Sequence, residues 1–278
     1  MKIREIFMVG LIFVGLALAV STVKASTLEY DNNLPISMST CAMDKLDGSH
    51  KEYYKSGQVW EEWTCKDGKR EGPTKIYDIN GQVYLEYTYK DDRLLGPHKS
   101  YYKNGQLNKE VAYMDNHLEG PYKEYYESGK LFGEGTYRDG KLEGSYKDYY
   151  ESGKLISERT YKNGKLEGPW KTYYENGQLK EEGVYKDGKT QEGLWKKYYE
   201  SGKLKSERTY TNGKLEGPWK AYYESGQLSG ETFFKDDKFE GPMRTYLENG
   251  QLSVEKVYKG GKEVENPKRY KEDGSAIP

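Results

Sequence analysis

The sequence predicts an all-β fold, an elongated meander of antiparallel β-hairpins that forms a single twisted, solenoid-like sheet. Three observations predict it: a repeat of about 24 residues, two turn positions in every repeat, and a composition rich in tyrosine. Hydrophobic residues make up only 35% of the 278 residues, below the roughly 45–50% of a typical globular domain. The 29 tyrosines argue against disorder, because disordered chains contain few aromatic residues.

The N-terminus has the pattern of a secretory signal peptide over residues 1–25. Lys2 and Arg4 precede an apolar run over residues 6–20, and small residues at 23 and 25 flank Lys24 before Ser26. The alternative is an uncleaved anchor, but 15 apolar residues are fewer than the roughly 20 needed to span a bilayer. The sequence therefore predicts export to the periplasm, cell surface or medium, with no transmembrane segment after cleavage. Residues 26–40 are predicted to be an irregular lead-in.

Residues 41–278 are predicted to hold about ten hairpin repeats, of which the terminal ones are degenerate. A glycine preceded by Ser, Asn or Asp recurs once in every repeat, at an interval that is constant except for a single inserted residue, at Gly57, Gly81, Gly105, Gly129, Gly153, Gly177, Gly202, Gly226, Gly250 and Gly274. A second position, as in Asn163-Gly164, accepts only Gly, Asn or Asp. These residue types tolerate positive φ, so both positions predict tight turns between strands.

Two columns of the repeat are nearly constant and are expected to form structural ladders across the sheet. One is a tyrosine and the other an aliphatic residue after the turn. They include Tyr101, Tyr125, Tyr149, Tyr173, Tyr198 and Tyr222, with Leu131, Leu155, Leu179 and Leu204. Tyrosine suits a thin sheet because its ring packs while its hydroxyl stays hydrated.

A lysine column and a glutamate column are equally regular and predict structural charge pairs between neighbouring strands. The predicted pairs are Lys123 with Glu134, Lys147 with Glu158, Lys171 with Glu182, and Lys220 with Glu231. A two-residue turn at Asn176-Gly177 would place Lys171 opposite Glu182, whereas a three-residue loop with a Gly bulge would place Tyr173 opposite Leu179. The sequence leaves both registers open.

A second tyrosine column is the candidate binding surface, because it also accepts Asp78, Leu247 and Lys271. Its members include Tyr102, Tyr126, Tyr150, Tyr174, Tyr199 and Tyr223. Such a row could bind an extended partner or a glycan, and the alternative is packing on the second face of the sheet.

Cys41 and Cys65 occupy the same position of successive repeats, which makes a disulfide a candidate in an oxidising compartment. Equivalent positions of a regular meander are about 10 Å apart, however, and a disulfide needs Cα atoms within about 7 Å. The pairing therefore stays open at the level of sequence.

The sequence carries no motif for catalysis, metal binding or a cofactor. Its three histidines lack ligand spacing, and it has no nucleophile elbow, P-loop or dinucleotide fingerprint. The balance of 44 Lys+Arg against 45 Asp+Glu lacks the basic footprint of a nucleic-acid-binding protein. We expect a non-enzyme.

The run Tyr173-Tyr174-Glu175-Asn176-Gly177-Gln178-Leu179, followed by Tyr185-Lys186-Asp187-Gly188-Lys189, resembles the variant MORN repeat of bacterial proteins, including YwqK-type antitoxins. The resemblance covers residues 40–275. It implies an array of β-hairpins that acts as an interaction scaffold without cofactors.

The function expected is an exported scaffold for protein–protein interaction along an extended β surface. The alternatives are a module that binds cell-envelope carbohydrate and an antitoxin-like protein that neutralises a partner. Self-association through the sheet edges is a further option, because unpaired edges readily pair with another strand.

Overall fold

The computed structural model describes residue 41 and residues 47–188 and 190–277, which divide into two compact units. Unit 1 comprises the described residues up to Tyr122 together with Glu127–Gly129, and unit 2 comprises Lys123–Tyr126 and the residues from Lys130 onward. The predicted signal peptide over 1–25 and the lead-in over 26–40 lie outside the described residues.

Unit 1 is an antiparallel meander, and its last strand, β9, contributes its final residues to unit 2. Its strands are β1 Gly48–Tyr53, β2 Val59–Lys66, β3 Lys69–Arg70, β4 Gly72–Tyr77, β5 Val83–Lys90, β6 Arg93–Leu94, β7 Gly96–Tyr101, β8 Leu107–Met114 and β9 His117–Tyr125.

Unit 2 continues the same pattern of antiparallel hairpins. Its strands are β10 Leu131–Arg138, β11 Lys141–Leu142, β12 Gly144–Tyr149, β13 Leu155–Lys162, β14 Lys165–Tyr173, β15 Leu179–Lys186, β16 Thr190–Tyr198, β17 Leu204–Thr211, β18 Lys214–Tyr222, β19 Leu228–Lys235, β20 Lys238–Tyr246, β21 Leu252–Lys259, β22 Lys262–Glu263, β23 Lys268–Tyr270 and β24 Ala276–Ile277. The predicted all-β fold, an array of antiparallel hairpin repeats, is confirmed.

Each hairpin closes with a three-residue loop that ends in glycine. In one repeat, the Tyr174 N–H donates to the Gln178 carbonyl at 2.9 Å, and the Gly177 N–H donates to the Tyr174 carbonyl at 2.8 Å. Gly177 has φ of 92°. This left-handed conformation costs glycine little, because it has no Cβ to clash with the backbone.

The two registers left open by the sequence occur together. Tyr173 lies opposite Leu179, and Lys171 lies opposite Glu182, with a register shift between Thr172 and Tyr173. The shift is a β-bulge, in which one extra residue of β15, Lys180, is accommodated between the two pairings. The bulge therefore preserves both the tyrosine–leucine ladder and the charge match.

Consecutive hairpins join through two-residue turns that stack from repeat to repeat. Asn163 and Gly164 have φ of 51° and 76°, as a type I′ turn requires. In the next turn the Gly188 N–H donates to the Leu166 carbonyl at 2.9 Å, and the Asp187 N–H donates to Glu167 Oε2 at 2.8 Å. These bonds link each turn to the preceding repeat.

Burial is confined to one face of the sheet in both units. We call the face that bears Trp63, Trp170 and Trp195 the tryptophan face, and the opposite face, which bears Lys171, Tyr173 and their equivalents, the tyrosine face. Among the described strand residues, every buried side chain lies on the tryptophan face: Glu61, Trp63, Cys65, Thr74, Val111, Tyr113, Tyr122, Asp148, Ser157, Trp195, Tyr210 and Thr232. The core is therefore one-sided.

Candidate interaction surface

A row of alternating charges crosses the tyrosine face of each unit. In unit 1, Glu62 lies opposite Lys51 on one side and Lys75 on the other, and the alternation continues to Glu110. The Lys51–Glu62 ion pair measures 3.5 Å and the Lys75–Glu86 pair 3.1 Å. Exposed pairs of this kind each contribute about 0–1 kcal/mol, so the row mainly fixes strand register.

Hydroxyls of the first tyrosine column, which includes Tyr101 and Tyr149, form hydrogen bonds with the glutamates of the same row. The Tyr101 hydroxyl donates to Glu86 Oε2 at 2.7 Å, and the equivalent Tyr149 hydroxyl donates to Glu134 Oε1 at 2.6 Å. Burial, and next the bond to the carboxylate, raises the pKa of Tyr101 to about 12. The same bond is the main cause that lowers the pKa of Glu86. The Glu86 carboxylate thus lies between Lys75 and the Tyr101 hydroxyl, which both bind it.

The predicted charge pairs differ in how the structure places them. Lys147 and Glu158 form an ion pair of 3.6 Å. Lys171 lies opposite Glu182, and Lys220 lies opposite Glu231. Glu231 also pairs with Arg244 at 3.5 Å, and Glu134 lies opposite Lys147. The pairing of Lys123 with Glu134 stays a prediction.

The second tyrosine column, predicted as a binding surface, links neighbouring repeats. Each hydroxyl donates to the backbone carbonyl of the first tyrosine in the next repeat, at 2.7–3.0 Å, for Tyr126, Tyr150, Tyr174, Tyr199 and Tyr223. The bulge residue Lys180 also places its Nζ 5.5 Å from the Tyr174 ring centroid. These bonds give the column a structural role, while packing on the second face, and a binding role for this column including Tyr102, both stay predictions.

The tryptophan face is packed by aromatic rings. The Trp195 ring, 2% exposed, lies 5.3 Å from the Trp170 ring and 5.2 Å from the Tyr185 ring between centroids. A Cβ added to Gly183 would lie 2.2 Å from two Trp195 ring atoms. Gly183 therefore leaves the space that the indole fills.

Buried acids on the tryptophan face are paired with arginines, and these pairs were not predicted from the sequence. Arg70 donates to Glu61 Oε1 at 2.7 Å, and its guanidinium lies 5.1 Å from the Trp63 centroid. Arg159 and the Ser157 hydroxyl both donate to Asp148 Oδ2. The signal available in the sequence was a change of residue type, because Arg70 stands in a column that is leucine in most other repeats and Arg159 in a column that holds Trp63 in the first repeat.

Cys41 and Cys65 form a disulfide with their Cα atoms 5.7 Å apart. Both are buried, in a cluster with Trp63. The wider spacing expected of equivalent strand positions does not apply, because Cys41 precedes β1. The bond anchors the chain ahead of β1 to the tryptophan face.

Within the part of the chain that the structure describes, no group of three or more His, Cys, Asp and Glu side chains could hold a metal ion. No helix among those residues is long and apolar enough to cross a membrane.

The profile of the MORN repeat variant family matches nine consecutive segments over most of the chain. They are residues 46–67, 70–91, 94–116, 118–139, 142–163, 166–187, 191–212, 215–236 and 239–259. The chain belongs to this family. The predicted resemblance to variant MORN repeats is therefore confirmed, and the narrower resemblance to YwqK-type antitoxins stays a prediction.

Comparisons with individual proteins add little to the family assignment. No curated protein matches this MORN-variant chain. Among solved structures, it is similar to the TcdB2-TccC3-Cdc42 crystal structure, with 16% identity and a TM-score of 0.20. It is also similar to the Tc holotoxin pore of Photorhabdus luminescens, with 15% identity and a TM-score of 0.21. Each match covers 80% of this chain and 14% of the other chain.

An exposed apolar strip lies beside the charged row on the tyrosine face of unit 2. Val184 is opposite Pro169, Leu194 is opposite Thr209, and Phe233 is opposite Pro218. Leu194 is 48% exposed and Phe233 43%. Equivalent positions in other repeats of the MORN-variant chain hold Ser145, Thr88 and Thr160. The strip was not predicted from the sequence, although its departures from the column pattern are visible there.

Proposed function

We propose that this MORN-variant protein is an exported, non-enzymatic scaffold that binds another protein along its tyrosine face. The observation that carries the proposal is the one-sided burial. Among the described residues, none of the tyrosine face is buried, yet its charges and hydroxyls repeat at the period of the hairpins. A surface of that regularity suits an extended partner, because each repeat offers the same set of contacts.

Unit 1 offers aromatic anchors of the kind that dominate protein interfaces. Tyr53 is 52% exposed and Tyr84 is 55% exposed. Tyr84 is the bulge residue of its hairpin, since Tyr77 lies opposite Val83 and Ile76 lies opposite Leu85. Tyrosine is enriched at binding hot spots because its ring buries a large area and its hydroxyl bonds at the rim.

Two features support export. The N-terminal pattern is that of a signal peptide, and the Cys41–Cys65 disulfide suits an oxidising compartment. N-terminal sequencing of the native protein tests this part. A mature chain that begins near Ser26 supports export, and retention of residues 1–25 would favour the antitoxin-like alternative in the cytoplasm.

The binding proposal is tested by retention of envelope components on the immobilised protein. We expect a retained protein that disappears when the extract is treated with protease. Tyr84→Asn should weaken retention, and the substitution suits the fold because Asn108 occupies the equivalent bulge. Lys180→Ser, at the same position of a unit 2 repeat, is the matched control and should retain the partner fully.

The carbohydrate alternative predicts a different result in the same experiment. Retention that survives protease treatment, and that Tyr126→Ala and Tyr150→Ala abolish, would replace the protein scaffold with a glycan-binding module. Thermal unfolding of both variants must be measured alongside, because each loses a hydroxyl that links two repeats.

A further inference from the structure

We propose that the apolar strip of unit 2 docks on the same strip of a second copy of this chain, face to face. We define the strip by Val184, Leu194, Pro218, Phe233 and Val264, together with Pro169, Pro242 and Val257 beside them. This inference is independent of export and of the partner bound by unit 1. It also differs from strand pairing at the sheet edges.

The strip is a row of exposed apolar side chains with charged side chains at its sides, since Val184 also lies opposite Glu192 and Phe233 opposite Glu240. Its C-terminal part is an open groove of about 570 Å³. The lining combines apolar residues, among them Pro218, Phe233, Pro242, Val257 and Val264, with charged side chains such as Lys220, Glu231, Glu240 and Arg244. Proline in a strand interior removes a backbone donor, and here each proline follows a glycine of positive φ, such as Gly241 at 76°. The prolines and aliphatic residues of the strip thus contribute apolar surface and no side-chain hydrogen bonds.

The charged row beside the strip favours a second copy over an unrelated partner. The row reads Lys196, Glu207, Lys220, Glu231, Arg244 and Glu255 on successive strands from β16 to β21. Its signs alternate, so it attracts neither acidic nor basic partners as a class. A partner must carry the same alternation, and a second copy supplies it.

A two-fold axis that lies parallel to the strands, between β18 and β19, brings every position opposite a suitable one. Lys220 then faces Glu231 of the second copy, Glu207 faces Arg244 of the second copy, and Lys196 faces Glu255 of the second copy.

The same axis places apolar groups on apolar groups. Pro218 faces Phe233 of the second copy, Leu194 faces Val257 of the second copy, and Val184 faces Val264 of the second copy. An isologous contact of this kind uses one patch twice, which is how most homodimers are built.

The available area is close to that of a specific interface. Eight strands spaced about 4.8 Å apart and two side-chain columns give roughly 600–700 Å² per copy. Standard interfaces bury about 800 Å² per partner. The strip is therefore large enough for a specific contact at the lower end of the standard range, and the affinity itself is left to measurement.

Sedimentation velocity tests the dimer. The sample is the native protein as it is purified from the cell. We expect dimers at micromolar concentration, and Phe233→Thr should raise the dissociation constant about tenfold. The equivalent positions hold Thr88 and Thr160, so the substitution suits the fold. Tyr84→Asn in unit 1 is the control and should leave dimerisation unchanged.

A charge-exchange pair distinguishes this geometry from any other self-association. Lys220→Glu alone and Glu231→Lys alone each place like charges opposite one another in a homodimer, and each should dimerise weakly. Mixing the two variants restores opposite charges at both contacts and should recover wild-type affinity. Circular dichroism of each variant shows whether it is folded before mixing.

Three results would overturn the proposal. The first is a wild-type chain that stays monomeric up to roughly 100 µM. The second is a mixture of the two charge variants that dimerises no more tightly than either variant alone. The third is a Phe233→Thr variant that loses an envelope partner while its self-association is unchanged. The last result would assign the strip to a different protein. Because Tyr84→Asn tests unit 1 and Phe233→Thr tests unit 2, failure of this proposal and failure of the scaffold proposal are distinguishable.

Discussion

The two faces of the sheet are built from the same repeat and use it differently. The tryptophan face buries rings, arginine–acid pairs and a disulfide, and its residues vary from repeat to repeat. The tyrosine face keeps its tyrosine, lysine and glutamate columns almost constant and buries none of its described residues. Columns that keep the same residue in every repeat of this chain therefore lie on the exposed face. Columns whose residue changes lie in the core, where each repeat packs in its own way.

The largest difference between the faces should appear at two adjacent residues, Leu194 and Trp195. Trp195→Ala removes a side chain that is 2% exposed and should lower the free energy of unfolding by about 4 kcal/mol. Leu194→Ala, on the opposite face, should change it by less than about 0.5 kcal/mol when the chain is measured as a monomer. Urea unfolding of both variants measures the two values. Equal losses would contradict a one-sided core.

Reduction of the Cys41–Cys65 disulfide should have the next largest effect. The bond closes a loop of 24 residues, for which constraint of the unfolded chain contributes about 3 kcal/mol. We expect thermal unfolding of unit 1 at a lower temperature in a reducing buffer. Cys41→Ser with Cys65→Ser should reproduce the change and become insensitive to reductant, whereas an identical melting temperature in both buffers would leave the bond without a stabilising role.

Replacing a glycine of the tryptophan face with alanine should destabilise the fold only where an aromatic ring packs against that glycine. Gly183→Ala should destabilise the fold by about 2 kcal/mol, because the new Cβ meets the Trp195 ring. Gly230→Ala is the matched control, since its Cβ would meet no atom closer than 3.4 Å. Its unfolding midpoint in urea should stay within about 0.5 kcal/mol of wild type. A Gly183→Ala variant as stable as the control would show that the indole has room to move.

The smallest effect should come from the tyrosine face under alkaline conditions. The pKa values of Tyr101 and Tyr149 are raised to about 12 in the folded chain, against about 10 in an unfolded one. A raised pKa adds stability that is complete below pH 10 and is lost as the pH rises towards 12. Denaturant midpoints measured across this window should fall, and they should fall less steeply in Tyr149→Phe. A parallel slope in the variant would mean that the bond to Glu134 does not titrate with the fold.

Local chemistry made the hairpins predictable. Turn residues such as Asn163-Gly164 and Gly177 determine strand lengths, and the alternation of Lys171 and Tyr173 indicates one face. The register was open because a regular hairpin allows either the tyrosine–leucine match or the lysine–glutamate match, but not both. The bulge at Lys180 accommodates both matches in one hairpin. A bulge has no strong residue preference at that position, which holds Asn108, Phe132 and Lys180 in different repeats.

The location of the core was harder to predict than the strands. Regular columns drew attention to the tyrosine face, whereas the buried column changes from Thr74 to His98 to Trp195. Gly183 becomes informative only when its neighbour across the strands is known to be Trp195. The disulfide was uncertain for a related reason, since Cys41 lies ahead of the first strand and escapes the spacing of the meander.

Hydroxyl-radical footprinting read by mass spectrometry tests the central claim, that one face is core and the other is surface. At equal dose, and at a protein concentration low enough to keep the chain monomeric, Phe233 and Tyr84 should be oxidised many times faster than Trp195 and Tyr210. Denaturing the chain should abolish the difference. Oxidation of Trp195 in the native protein at a rate equal to that of Phe233 would contradict the one-sided core and the assignment of the tyrosine face as the interaction surface.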